Sequence, residues 1–252
     1  MDNKSKLVWI TGASSGIGEE LCYKFSNKNW KLAITARRKD RLLEIHNLIG
    51  KDNYVVPANV INKGEVKTAF NNFYKISKRI DLAILNAGIY RSVSCEDFNS
   101  DDFKDHMDIN YMGVVNSLEQ IIPKMKSQNY GHIAIITSPT GWRGLPRAAA
   151  YGPTKSALKN LAQTLRIELE PYGIKVQLFC PAFVKTESTP EGEHSLPGII
   201  TAKKAADLIY NSLKSNSFEV FIPNNILIWT LYLLKFLPEN IAHKLVKWKT
   251  GY

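Results

Sequence analysis

The chain has 252 residues, 44% of them hydrophobic, and a formal net charge of +10. That apolar fraction excludes a disordered chain, and the length suits one large α/β domain or two small ones. The basic residues are scattered, with no run interleaved with aromatics, so no nucleic-acid partner is expected; anionic small molecules and anionic membrane surfaces stay compatible with the charge.

Cys22, Cys95 and Cys180 lie far apart and form no C-x-x-C, which points to reduced thiols and a cytoplasmic location. The histidines show no ligand spacing, so no metal is expected. Met1 to Lys6 is polar and runs directly into an apolar strand, leaving no room for a signal peptide.

Leu7 to Thr11 reads as a buried parallel strand, followed by TGASSGIG from Thr11 to Gly18 and a helical pattern with Ile17, Leu21 and Phe25 on one face. Strand, glycine turn and helix together make a phosphate site. Glycines let the backbone approach closely, and the helix start aims unpaired N–H groups at the same point. A dinucleotide pyrophosphate fits there. Lys31 to Ala36 predicts a second strand ending in Arg37 and Arg38, where an acid would bind the 2′-hydroxyl of NAD; two guanidiniums suit the 2′-phosphate of NADP instead.

Leu42 to Ile49 continues a helix, Tyr54 to Pro57 is a third strand, and Val66, Phe70, Phe73 and Ile76 mark an amphipathic helix. Leu82 to Leu85 is a fourth strand ending in Asn86-Ala87-Gly88. Asp101 to Met125 gives a long helix, broken near Gly113 and containing Asn110, before a fifth strand from His132 to Thr137. Ser138 and a Gly/Pro-rich loop lead to a helix from Ala149 to Pro171 with Tyr151 and Lys155 one turn apart on one face. A cation beside a phenol favours phenolate, so Tyr151 is expected to exchange a proton near neutral pH. Pro153 between them marks the helix start.

Ile174 to Cys180 is a sixth strand; Glu187 to Gly198 reads as a flexible substrate loop, within a region at about 187–200; Thr201 to Leu213 is a helix and Phe218 to Ile222 a seventh, edge strand. Single helices between strands argue for right-handed crossovers and one doubly wound sheet, so residues 1–252 form a single domain. Gly12, Arg37, Asn59, Gly88 and Ser138 all follow strand ends, where such sheets bind ligands. An apolar and basic extension covers 223–252. Its segment Ile226 to Leu237 is too short to span a bilayer, and three readings stay open: a cover over the cleft or a subunit interface, a peripheral membrane contact, or a poorly ordered tail.

These motifs together resemble the short-chain dehydrogenase/reductase family over roughly Lys6 to Phe221. TGASSGIG resembles the family's TGxxxGxG, and Leu85-Asn86-Ala87-Gly88 its NNAG with leucine first. Asn110, Ser138, Tyr151 and Lys155 fall where the catalytic tetrad stands. The resemblance implies a Rossmann-type α/β fold with a seven-stranded parallel sheet flanked by helices, and a homo-oligomer, dimer or tetramer, using the long helices after the fourth and fifth strands. It also implies cofactor contacts from Gly12, Ser14, Ser15, Gly16, Ile17 and Gly18, from Arg37, Arg38, Asn59 and Val60, from Asn86, Ala87 and Gly88, and from Tyr151, Lys155, Val184 and Thr186.

The implied reaction passes hydride between NADP(H) and a carbonyl or secondary alcohol. Ser138 binds the carbonyl oxygen, Tyr151 delivers the proton, Lys155 lowers the phenol's pKa, and Asn110 positions a water that connects Lys155 to solvent. Three departures stand out: Asn59 replaces a common Asp, Pro181-Ala182 replaces Pro-Gly, and Ser14 stands where NADP users often carry a basic residue. Tyr90, Trp142, Leu145, Phe183 and the Ile226 to Leu237 segment are expected near the cleft, favouring a hydrophobic substrate. The alternatives are an NAD-dependent alcohol dehydrogenase of the same fold and a non-catalytic protein that responds to NADP or docks on membranes.

Overall fold

A computed structural model describes residues 6–50, 52–187, 189 and 198–251. The first half alternates β1 (Leu7–Thr11), α1 (Gly16–Ser26), β2 (Lys31–Thr35), α2 (Lys39–Ile49), β3 (Tyr54–Val55), α3 (Lys63–Ser77) and β4 (Leu82–Leu85). After β4 come α4 (Ser100–His106), a π-helical turn (Met107–Met112) and α5 (Gly113–Gln128), then β5 (Gly131–Ile136) and α6 (Tyr151–Leu169). The remainder is β6 (Ile174–Pro181), β7 (Val184–Lys185), β8 (Ile200–Thr201), α7 (Ala202–Ser212), β9 (Glu219–Ile222), α8 (Ile226–Leu233) and α9 (Glu239–Thr250). Side chains start several helices by capping free N–H groups: Asn62 accepts from Gly64 and Glu65 before α3, and Thr201 accepts from Lys204 before α7.

Seven strands form one parallel sheet in the order β3-β2-β1-β4-β5-β6-β9, the expected architecture. The order reverses between β1 and β4, and that switch opens a crevice beyond the strand ends. Register keeps those ends level, with Thr11 opposite both Thr35 and Leu85, and Leu85 opposite Ile135. Residues that follow different strands are thereby brought to one rim.

Alternation along β1 sends Leu7 and Trp9 into the core under α3, α5 and α6, and Val8 and Ile10 into the core under α1, α2 and α7. Trp9 is buried whole because its one polar atom has a partner, Nε1 donating to Thr35 Oγ1 at 2.8 Å. Phe70 and Phe73 pack edgewise and tilted on its ring at 5.4 and 5.7 Å. Tyr74 stacks on Phe70 at 5.3 Å and takes the place expected for Ile76, which is exposed.

The break expected near Gly113 is the π turn that carries Asn110. A Cβ on Gly113 would lie 2.7 Å from Val60 Cγ2, so glycine lets this helix close on the loop after β3. The loop expected at 187–198 has its two ends tied by the parallel pairing of Val184 with Ile200 and Lys185 with Thr201; residues 188 and 190–197 lie outside the described residues, as do Met1 to Ser5.

Candidate active site

The glycine turn interlocks with the loop after β4. Gly12 has φ +67°, and a Cβ there would lie 2.7 Å from Ala87 Cα. On Gly18 a Cβ would lie 2.1 Å from the Gly12 carbonyl oxygen. Asn86 Nδ2 donates to the carbonyls of Thr11 and Gly12 at 3.3 and 3.2 Å, while the N–H groups of Asn86 and Ala87 donate to Thr11 Oγ1 at 3.1 and 3.2 Å. Thr11 is thus a clasp between the two motifs, a role its place in the sequence motif did not reveal. Ser15 precedes α1 without a side-chain cap, which leaves the helix's first N–H groups directed at the cleft.

At the ends of β2 and β3 the two arginines differ. Arg38 donates from Nε to Ser14 Oγ at 3.2 Å, from Nη2 to the Ser14 carbonyl at 3.2 Å, and from Nη1 to Glu187 at 3.1 Å. Arg37 lines the cleft with no partner among the described residues. Asn59 uses its side-chain oxygen on the Ile61 N–H at 3.3 Å and, with Val60, borders the same end. The set fits a phosphorylated dinucleotide: a backbone cradle that a Cβ would fill, free helix N–H groups, and a guanidinium without a partner.

The other end of the cleft is built from side chains. Ser138 caps a 3₁₀ turn at Pro139–Gly141, accepting from the Thr140 N–H at 3.3 Å, and lines the same cavity as Tyr151. Tyr151 is the first residue of α6 and Pro153 the third, where proline's missing N–H costs no helix bond. Lys155 is buried; its Nζ donates to the Ile136 carbonyl at 3.0 Å and sits 5.3 Å from the Tyr151 ring centroid.

Burial pushes the Tyr151 phenol above its ordinary 10.0, with the Ser138 side chain pulling the other way. It also lowers Lys155 from 10.5 to about 8. The net direction for the phenol is upward and not the expected downward one: desolvation of the phenolate dominates, and the Lys155 ammonium is turned toward the Ile136 carbonyl.

Asn110 is buried and engaged on every side. Its Oδ1 accepts from the Ile89 N–H at 2.7 Å, and Nδ2 donates to the Ile89 carbonyl at 3.0 Å and to Thr154 Oγ1 at 3.2 Å. The side chain ties the loop after β4 to α6.

A cavity of about 1020 Å³ brings together all the predicted cofactor residues except Gly18, together with Ser138; Gly18 and Asn110 stand behind its wall. Of the expected substrate residues, Tyr90, Leu145 and Phe183 line it, and the Tyr90 ring meets Tyr151 edgewise at 5.2 Å. Trp142 does not line it: Nε1 donates to Glu219 at 2.6 Å, and the ring packs on Phe221 and Tyr232. The segment Ile226 to Leu237 covers that aromatic group and not the cavity, because Trp142 lies between. Thr250, at the end of α9, borders the cavity in its place, a contact with no signal in the local sequence.

The short chain dehydrogenase family model matches residues 6–195. The chain is similar to the human protein named dehydrogenase/reductase SDR family member 7, 31% identical over 92% of this chain and 74% of that one. It is also similar to the Arabidopsis thaliana protein 11-beta-hydroxysteroid dehydrogenase-like 3, 38% identical over 98% of this chain and 81% of that one. Among solved structures, a short chain dehydrogenase from Burkholderia cenocepacia J2315 in complex with NADP has TM-score 0.83 at 23% identity, covering 98% of this chain and 99% of that one. A short chain dehydrogenase/reductase from Burkholderia phymatum in complex with NAD has TM-score 0.82 at 23% identity, covering 92% and 94%. At those identities the two structures speak to the fold alone.

Proposed function

The chain belongs to the short-chain dehydrogenase/reductase family of oxidoreductases, and from that premise we propose that it reduces a hydrophobic carbonyl, or oxidises the matching secondary alcohol, with NADP(H). The observation that carries the reading is that Ser138, Tyr151 and a buried Lys155, its Nζ 5.3 Å from the Tyr151 ring centroid, line the same cleft as the glycine turn.

When bound, the nicotinamide supplies hydride to the carbonyl carbon or takes it back. Ser138 donates a hydrogen bond to the carbonyl oxygen and so favours the charge that develops there. Tyr151, held neutral by burial, donates its proton to that oxygen as the alcohol forms. Lys155 is ammonium below about 8 and favours the phenolate left behind. Asn110 holds the Gly88–Ile89 loop against α6 and keeps the cofactor rim and Tyr151 at a fixed separation.

The preference for NADP is supported by Arg37, a guanidinium at the end of β2 with no partner among the described residues and open to a 2′-phosphate. An apolar substrate is supported by Tyr90, Leu145 and Phe183, and the name of the Arabidopsis relative fits a bulky secondary alcohol. Calorimetric titration with NADPH and NADH, then a panel of apolar ketones followed by nicotinamide absorbance, tests both parts. Tighter NADH binding refutes the cofactor assignment, and no turnover of any ketone or alcohol refutes the reaction. A homo-oligomer through α5 and α6 accompanies the proposal, supported by exposed Ile167 on α6 and exposed Met112 in the π turn that leads into α5, and a monomer in light scattering would refute it.

A further inference from the structure

The C-terminal helices carry apolar side chains on the outside of the molecule. On α8 the residues that pack inward are Ile228 and, partly, Leu227, Leu231 and Tyr232, whereas Ile226 and Leu233 are exposed, as is one side of Trp229, whose ring packs on Phe221 and Tyr232, with only Thr230 among them. Phe236 and Leu237 after α8 are exposed as well, and so are Ile241, Leu245 and Trp248 on α9. The exposure is large, 86% for Ile226, 65% for Phe236 and 72% for Trp248. A run of such residues marks a surface that meets something other than water.

The charges beside these side chains select the occupant. Lys244, Lys247 and Lys249 are exposed on α9, and Lys235 lies over the Tyr232 and Phe236 rings at 3.8 and 4.7 Å. The one acid among residues 226–250, Glu239, is paired with Arg143 at 2.7 Å. A second copy of the same face would set these lysines against their own counterparts, since a two-fold contact is self-complementary. An anionic lipid surface attracts them and accepts the aromatic and aliphatic side chains between. No helix among the described residues is long and apolar enough to cross a membrane, so the helices lie on the surface.

We propose that α8 and α9 form a docking surface for anionic membranes. The same elements border the reaction cleft: Thr250 lines it, and Arg143, five residues after Ser138, donates to the Leu237 carbonyl at 3.4 Å and to Glu239. Docking therefore brings the cleft close to the lipid phase in which an apolar substrate dissolves. That last step rests on the proposed oxidoreductase reading; the docking itself does not.

The test is co-sedimentation of the full chain with phosphatidylcholine vesicles and with mixed phosphatidylserine–phosphatidylcholine vesicles, which requires no substrate. The expected result is selective pelleting with the mixed vesicles, weakened by salt, together with a blue shift of tryptophan fluorescence. Reversing Lys244, Lys247 and Lys249 to Glu should weaken partitioning by about fivefold or more per lysine. Trp229→Ser with Trp248→Ser should abolish the blue shift, and reduction of a water-soluble ketone should be unchanged in both variants. Absence of pelleting with either vesicle overturns the proposal. So does a dimer in light scattering that Trp229→Ser with Trp248→Ser splits into monomers, which would make a second copy the occupant.

Discussion

The two ends of the cleft are held by different forces. At the glycine turn the backbone is the binding surface, and the constraint is steric: a Cβ on Gly18 would sit 2.1 Å from the Gly12 carbonyl, and Thr11 and Asn86 fasten two loops by four hydrogen bonds. At the first turns of α6 the constraint is electrostatic. A half-buried phenol stands beside a buried amine, and desolvation moves both toward their neutral forms. Shape is fixed on folding at the first end, whereas at the second the state of the site follows pH. The cofactor end should therefore respond to added volume, and the catalytic end to lost protons.

The sharpest separation is expected from Tyr151→Phe. Stopped-assay kinetics should show kcat lower by roughly a hundredfold or more, because general acid catalysis is worth that much, with NADPH affinity within about twofold. A variant retaining more than about a tenth of the rate would break the distinction.

Lys155 offers the second test. Its folded pKa, about 8, lies below the 10.5 of the unfolded chain, so above 8 the native state binds fewer protons than the unfolded state. Stability then rises as pH increases from about 8 to 10.5, and the gain is lost as pH falls back through 8. Its size is on the order of 3 kcal/mol. Denaturant melts of wild type and Lys155→Met across that window should show this rise in wild type relative to the variant; parallel curves would contradict the burial argument. Ketone reduction should be level below about 8 and decline above it, as the ammonium is lost.

Gly18→Ala probes the steric end. The inserted Cβ should destabilise the turn by about 1–3 kcal/mol and weaken NADPH binding by about tenfold, measured by thermal shift and calorimetry. It should leave the pH dependence of the remaining activity unaltered. The smallest effect is expected from Arg37→Ala: roughly a tenfold rise in the dissociation constant for NADPH and none for NADH, since a charge-assisted hydrogen bond to phosphate is lost. Equal weakening of both cofactors would place Arg37 away from the 2′-phosphate.

The strands were legible because each is a short apolar run bounded by turn residues, and the crossover pattern then left one sheet class open. Gly12, Gly18 and Asn86 were legible because their roles depend on backbone shape, which a motif encodes locally. Trp142 was placed wrongly at the cleft. An aromatic residue in the loop after Ser138 is attracted equally by a substrate and by a core, and the distant Glu219, Phe221 and Tyr232 decided for the core. Asn110 stands out little in its local sequence, because its ties are to Ile89 and Thr154, far away in the chain.

By itself the sequence determined the parallel sheet, the glycine cradle and the i, i+4 placement of Tyr151 and Lys155, because each follows from local periodicity or from the conformational freedom of single residues. Only the tertiary structure decided the direction of the Tyr151 shift, the unequal fates of Arg37 and Arg38, and the arrival of Thr250 at the cleft. Those depend on which groups exclude water from one another across the fold, and desolvation is a property of the assembled surroundings and not of the residue.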